Sequence, residues 1–268
     1  MLRSPTVNFS PHEAESLDRV DQARAATDAP PDQVSAREPR QRWRLVFSSE
    51  AGTPHVGGRE ALEAWEEALV RAGLPIDGGR GPGSRRRSPI SLGPPLPAGV
   101  RGDRELADVV LVERLSIVDV RRPLEGAMPP GTRLVDLYDV WLGAPSLASQ
   151  VVAADYLVVL EDKAGCPGGA ALSHGADALL GAATLPRRRV RAGGGDVAYD
   201  LRPLLADLRV EDRGRTPLLR IRTRFDSERG VGRLDEVLAA LTEVAGGPCV
   251  PRSIVRQRIL VAEDIGVV

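Results

Sequence analysis

The sequence predicts an α+β fold of two ferredoxin-like βαββαβ halves in tandem, each an antiparallel sheet with its helices on one face. Three observations predict it. Over residues 42–142 the apolar pattern runs strand, helix, strand, strand, helix, strand, the order of the split βαβ unit. Over residues 156–261 the same order approximately returns. The apolar fraction is 42% while aromatics make up 3%, so the core must be built from valine, leucine, alanine and isoleucine. The boundaries that follow are a disordered tail over 1–40, a first half over 41–148 and a second half over 149–268.

Each element has its own warrant. The first 40 residues are rich in Asp, Glu, Ala, Pro, Arg and Ser, with little apolar periodicity, and read as a solvated tail. Trp43, Leu45 and Phe47 alternate with Arg44 and Val46, the period of a strand. Leu62, Trp65 and Leu69 fall on one face of a helix over 60–72, which Gly73 and Pro75 stop. Short apolar runs at 90–92 and 108–112 read as strands. Ser116 is placed to cap a helix reaching about Met128, with Pro123 inside it, and 133–142 reads as a strand.

In the second half, 156–161 reads as a strand and 170–183 as a helix of small residues. Residues 187–191 and 197–201 read as a hairpin around three glycines, and 202–208 as a short helical turn. Over 217–225, Leu219, Ile221 and Thr223 alternate with Arg220, Arg222 and Arg224, a half-buried strand with an arginine face. An amphipathic helix over 234–245 carries Leu234, Val237, Leu238 and Leu241, and 253–261 reads as the last strand.

The totals exclude several function classes. Net charge is −1, so the chain as a whole presents no field for nucleic acid, and any such site is a local patch. Cys166 and Cys249 lie far apart in sequence and supply neither an iron–sulfur spacing nor four zinc ligands. They read as free thiols of a cytoplasmic protein. No apolar run approaches the ~20 residues of a membrane helix, and no signal peptide is apparent. The glycine runs match neither a P-loop nor a dinucleotide fingerprint. No cofactor or metal is expected.

The candidate site residues are arginines. Arg85, Arg86 and Arg87 follow a glycine-rich turn, where guanidinium and backbone N–H groups would converge on phosphate. Arg187, Arg188, Arg189 and Arg191 form a second cluster on the expected hairpin. The competing reading for both is a solvated, arginine-biased surface. His55, near Glu60, is the acid–base candidate, but no nucleophile accompanies it. Trp43, Trp65 and Trp141 all read as buried, which leaves no stacking platform for single-stranded bases.

A family resemblance rests on ordered segments: Arg42-Trp43-Arg44-Leu45-Val46-Phe47, Ala68-Leu69-Val70-Arg71-Ala72-Gly73-Leu74-Pro75, and Ile90-Ser91-Leu92-Gly93 with Leu96-Pro97-Ala98-Gly99-Val100. Met128-Pro129-Pro130-Gly131, Ala144-Pro145-Ser146-Leu147, Ala153-Ala154-Asp155-Tyr156 and Asp200-Leu201-Arg202-Pro203-Leu204-Leu205 continue it. Over about 42–263 the chain resembles the bacterial radical SAM-linked protein family, a domain of unknown function fused to or encoded beside a cobalamin-binding-type radical SAM protein. The resemblance implies an accessory role beside that enzyme, with ribosomal or transfer RNA as the associated substrate. The chain departs from the family where the first helix begins. Gly57, Gly58, Arg59 and Glu60 stand where the family usually has Ser-His-Leu-Asp. The arginine turn has also lost the family's aromatic residue.

Three functions follow as expectations: an accessory protein that presents RNA to a radical SAM enzyme, a metal-independent RNA-binding or RNA-processing protein using His55, and a structural module that oligomerises through a sheet edge.

Overall fold

The computed structural model describes residues 40–52, 58–76, 88–163, 165–190, 196–211 and 216–266; the side chains of 189, 190 and 196 are not described. The expected tail over 1–40 lies, but for Arg40, outside the described residues.

In the first half, β1 (Gln41–Ser49) runs antiparallel to β3 (Arg101–Leu111) on one side and β4 (Thr132–Val140) on the other. β2 (Ile90–Leu92) lies antiparallel to the far end of β3. The alternation read in β1 sets its two faces. Trp43, Leu45 and Phe47 pack under α1 (Gly58–Arg71) and α2 (Ile117–Glu125), where Trp65, Leu69, Val120 and Leu124 complete the core. Gly73, at φ 64°, ends α1 in the left-handed conformation that a side chain resists. Ser116 caps α2 by accepting from the Asp119 N–H, and Pro123 sits inside the helix.

After a short α3 (Leu147–Gln150), β5 (Val151–Leu160) opens the second half. α4 (Gly169–Gly181) follows, then a separate hairpin of β6 (Pro186–Val190) and β7 (Asp196–Asp200). Next come β8 (Leu205–Glu211), β9 (Leu218–Asp226), the short β10 (Gly230–Val231), α5 (Leu234–Ala245) and β11 (Pro251–Val261). β8 and β10 flank one edge of β9, β5 the other, and β11 lies beyond β5, all antiparallel. Leu172, Leu179, Val237 and Leu241 of α4 and α5 close the core over Ala154, Tyr156 and Val158. Cys166 and Cys249 border this same core as free thiols.

The architecture is therefore mixed helix and strand with a mostly antiparallel sheet. The halves do not carry separate sheets. β3 and β11 pair in parallel through Arg101 with Val255 and Gly102 with Arg256, giving one nine-stranded sheet. On the face away from α1, α2, α4 and α5, Val46, Leu106, Val151, Ile259 and Val261 form an apolar belt across the join with Leu147 of α3.

Beside this belt lies a buried ion network. Asp108 accepts from Arg42 Nε (3.0 Å) and Arg44 Nε (2.7 Å), and all three residues are buried. Arg42 also donates to the Ala144 and Pro145 carbonyls, and Arg44 to Gln150. The connector between the halves is thus fastened from below.

Three expectations are corrected. β3 begins at Arg101, not 108: Glu105 is a strand residue because buried Arg256 pairs with it, while Arg101 and Arg104 pair at the surface with Asp103 and Asp136. Over 202–208 only Arg202–Leu204 is helical, and Leu205 starts a strand. The register of β8 shifts between Leu205 and Asp207, which puts Leu205 and Leu208 on one face. A bulge of this kind imitates helical spacing. Trp141 lies beyond the end of β4 and is 78% exposed, whereas Trp43 and Trp65 are buried.

Gly232, between β10 and α5, has no room for a side chain. A Cβ there would lie 2.4 Å from the Leu204 carbonyl oxygen and 3.0 Å from Thr223 Cβ. Gly232→Ala is expected to cost about 1–3 kcal/mol through overpacking, measured by urea denaturation; an unchanged midpoint would contradict the tight contact.

Candidate functional site

Of the sequence candidates, only Arg187 and Arg188 have described side chains. His55, Arg85, Arg86, Arg87 and Arg191 lie outside the described residues, as does the side chain of Arg189. Arg188 is exposed. Arg187 is largely buried and donates to Glu243 of α5 at 3.1 Å. That pairing ties the hairpin to the helix and occupies a guanidinium expected to meet phosphate. Two other places emerge as candidate sites.

The first is a cleft of about 790 Å³ in the first half. Gly58, Ala61, Leu62 and Trp65 of α1 form one wall, and Ile90 and Leu92 of β2 with Gly93, Pro94, Pro95 and Leu96 another; Phe47, Pro129 and Pro130 close it. Phe47 and Trp65 meet edge to face, with centroids 4.8 Å apart. Glu105 lies on the lining, 5% exposed. Its Oε1 accepts from Arg256 Nε at 2.9 Å and its Oε2 from Nη2. Arg256, 1% exposed, also donates to the Pro94 and Pro95 carbonyls at 2.8 and 3.3 Å. A residue of β11, in the second half, therefore holds both the carboxylate and one wall of a cleft in the first. Gly58 lines the cleft at the start of α1.

The second is the open face of the second half. Leu219, Ile221 and Thr223 of β9 face the core, which turns Arg220, Arg222 and Arg224 outward. Register places Asp207, Arg222, Asp155 and Arg258 in one row across four strands. Asp155 accepts from Arg222 through both oxygens, at 2.6 and 3.0 Å, and from Arg258 at 2.9 Å. In the next row Arg209 stands opposite Arg220, which pairs with Glu211. Like charges placed directly opposite repel. Exposed Arg209 pairs with the half-buried Asp207, and Arg224 donates to the Pro203 carbonyl at 3.3 Å. These five arginines outnumber Asp155, Asp207 and Glu211, so a positive surplus faces outward on a chain of net charge −1.

Burial pushes the Asp155 carboxyl up, but hydrogen bonds from Arg222 and Arg258 and their charges outweigh it and hold the group below its ordinary value. A depressed folded pKa contributes stability at pH values above the unfolded carboxylate pKa of about 3.9. That contribution is lost as pH falls through the folded value. Asp155→Asn is therefore expected to lower stability at pH 7 and to flatten its acid dependence below about pH 4, as measured by urea unfolding at several pH values; an unaltered slope would contradict the ladder.

Among the described residues no group of three or more His, Cys, Asp or Glu side chains is placed to hold a metal ion. No helix among them is long and apolar enough to cross a membrane.

No curated protein matches the chain. Among solved structures it is similar to a chain of a Cbf5-Nop10-Gar1 complex, at 11% identity and a TM-score of 0.42, over 80% of this chain and 49% of that one. This chain thus spans about half the length of that match. It is also similar to an unknown protein from Galdieria sulphuraria, at 12% identity and a TM-score of 0.23, over 78% of this chain and 93% of that one. Scores this low identify neither a function nor a shared fold. A family model matches residues 42–233, and the chain belongs to that family, described as uncharacterized protein conserved in bacteria (DUF2344).

Proposed function

We propose that this protein is a non-catalytic partner of a radical SAM enzyme and presents an RNA substrate to it. The observation that carries the RNA reading is the outward surplus of arginine on the open sheet face of the second half. Phosphate contacts from such a face position a nucleic acid without reading its sequence. The arginine turn at Arg85, Arg86 and Arg87 adds to the same reading. The link to a radical SAM enzyme is what the resemblance over 42–263 implies. We also read each half as a ferredoxin-like unit. The orders β2-β3-β1-β4 and β8-β9-β5-β11 support that, with β6 and β7 as an insertion.

The test is purification of the tagged protein from its own cells at low salt, with identification of what accompanies it. A radical SAM protein and RNA are expected together, the RNA leaving as salt is raised. Recovery of neither would overturn the proposal. RNA without the enzyme would leave an independent RNA binder and remove the accessory role.

A further inference from the structure

We propose that the cleft between α1, β2 and the prolines at 94 and 95 binds a neutral, largely apolar small molecule that carries a hydrogen-bond donor. This goes beyond the RNA reading and rests on different residues.

Size is the first argument. At about 790 Å³ the cleft is in the range of small-molecule sites. Its walls are Phe47, Leu62, Trp65, Ile90 and Leu92 with four prolines. Prolines have little side-chain freedom to lose, and the Phe47–Trp65 corner is packed edge to face, so little ordering opposes binding.

Charge is the second. Glu105 is the one ionisable side chain on the described lining, and Arg256 engages both its oxygens. A cation would have to compete with a guanidinium already in place. Among the described lining residues, an anion would meet a buried carboxylate and no free cation. A neutral ligand meets neither cost.

The rim sets the third. The Ser88 hydroxyl donates to Glu66 at 2.7 Å, and the Thr132 hydroxyl to the Pro129 carbonyl at 2.6 Å. With their hydrogens committed, both oxygens offer lone pairs, one of Ser88's already taken by the Ile90 N–H at 3.4 Å, and a donor on the ligand would use the rest.

The test uses the full chain and Nile red, a neutral apolar dye whose emission rises on leaving water. Saturable one-to-one binding is expected. Ala61→Trp, which fills the cleft from α1, should weaken it at least about tenfold, while Val70→Ser, on the exposed outer side of α1, should not change it. In competition, 1-decanol should displace the dye better than its methyl ether, by about fivefold for one hydrogen bond. Decanoate and decylammonium should each be about tenfold poorer than 1-decanol. A second reading needs no variant: decanol should shift the Trp65 indole N–H resonance and leave that of Trp141 in place. The proposal is overturned if the dye binds all three chains alike. Ions that compete as well as the alcohol, or a Trp65 signal that does not move, would overturn it too.

Discussion

Asp108→Ala is expected to destabilise the protein by about 3–5 kcal/mol, read as a lower urea midpoint with an unchanged slope. The carboxylate is 3% exposed and is the acidic partner of two guanidinium groups that are themselves 7% and 2% exposed. Removing it leaves both charges in the interior of the sheet, close to one another, with no acid between them. Burial lowers the tendency of Arg44 to keep its proton, but Asp108, with a smaller contribution from Tyr138, outweighs that effect and holds it raised. The same variant is expected to loosen the connector, because the guanidinium that Asp108 orients also donates to the Ala144 and Pro145 carbonyls. Lysine at 42 and 44 should not restore stability, since an ammonium cannot reproduce the forked contacts. A loss under about 1 kcal/mol, the value of an exposed pair, would contradict the burial of this network.

The second large effect is expected at the join between the halves. Arg256→Met should cost about 3–5 kcal/mol by leaving Glu105 buried and unpaired. The double variant Glu105→Leu with Arg256→Met should recover most of that loss, because no charge then remains uncompensated. It should not recover all of it, since the Pro94 and Pro95 carbonyls lose their donor in either case. Denaturation of the two single variants and the double variant measures this. Additive losses would mean that the two side chains do not act as a pair.

The strands and helices with strict periodicity were legible in the sequence. Trp43, Leu45 and Phe47 announce β1, Leu62, Trp65 and Leu69 announce α1, and the arginine face of β9 is where alternation places it. What was not legible depends on partners distant in the chain. Glu105 lies outside the strand read over 108–112, and nothing near it in sequence announces Arg256, 151 positions away. Arg187 reads as a free cation until Glu243 of α5 meets it. Trp141 reads as core because an indole in an apolar run usually is, yet β4 ends one residue earlier and leaves it outside. The parallel junction of β3 and β11 joins segments that share no local signal. The cleft likewise combines α1, β2 and two proline pairs, with a floor held by the other half, and no single stretch encodes it.

The most direct test of the presentation reading is the salt dependence of binding to a single-stranded RNA homopolymer. The wild-type chain is compared with Arg209→Ala/Arg224→Ala, since these are exposed arginines whose removal leaves the Asp155 pairs intact. The wild type is expected to bind at low salt, with affinity falling linearly on a log–log plot. Losing two phosphate contacts should make that slope shallower by about 1.4, at roughly 0.7 per contact for a single strand. An identical slope for the two proteins, or no binding of RNA by the wild type at about 50 mM salt, would contradict the assignment of this face to RNA.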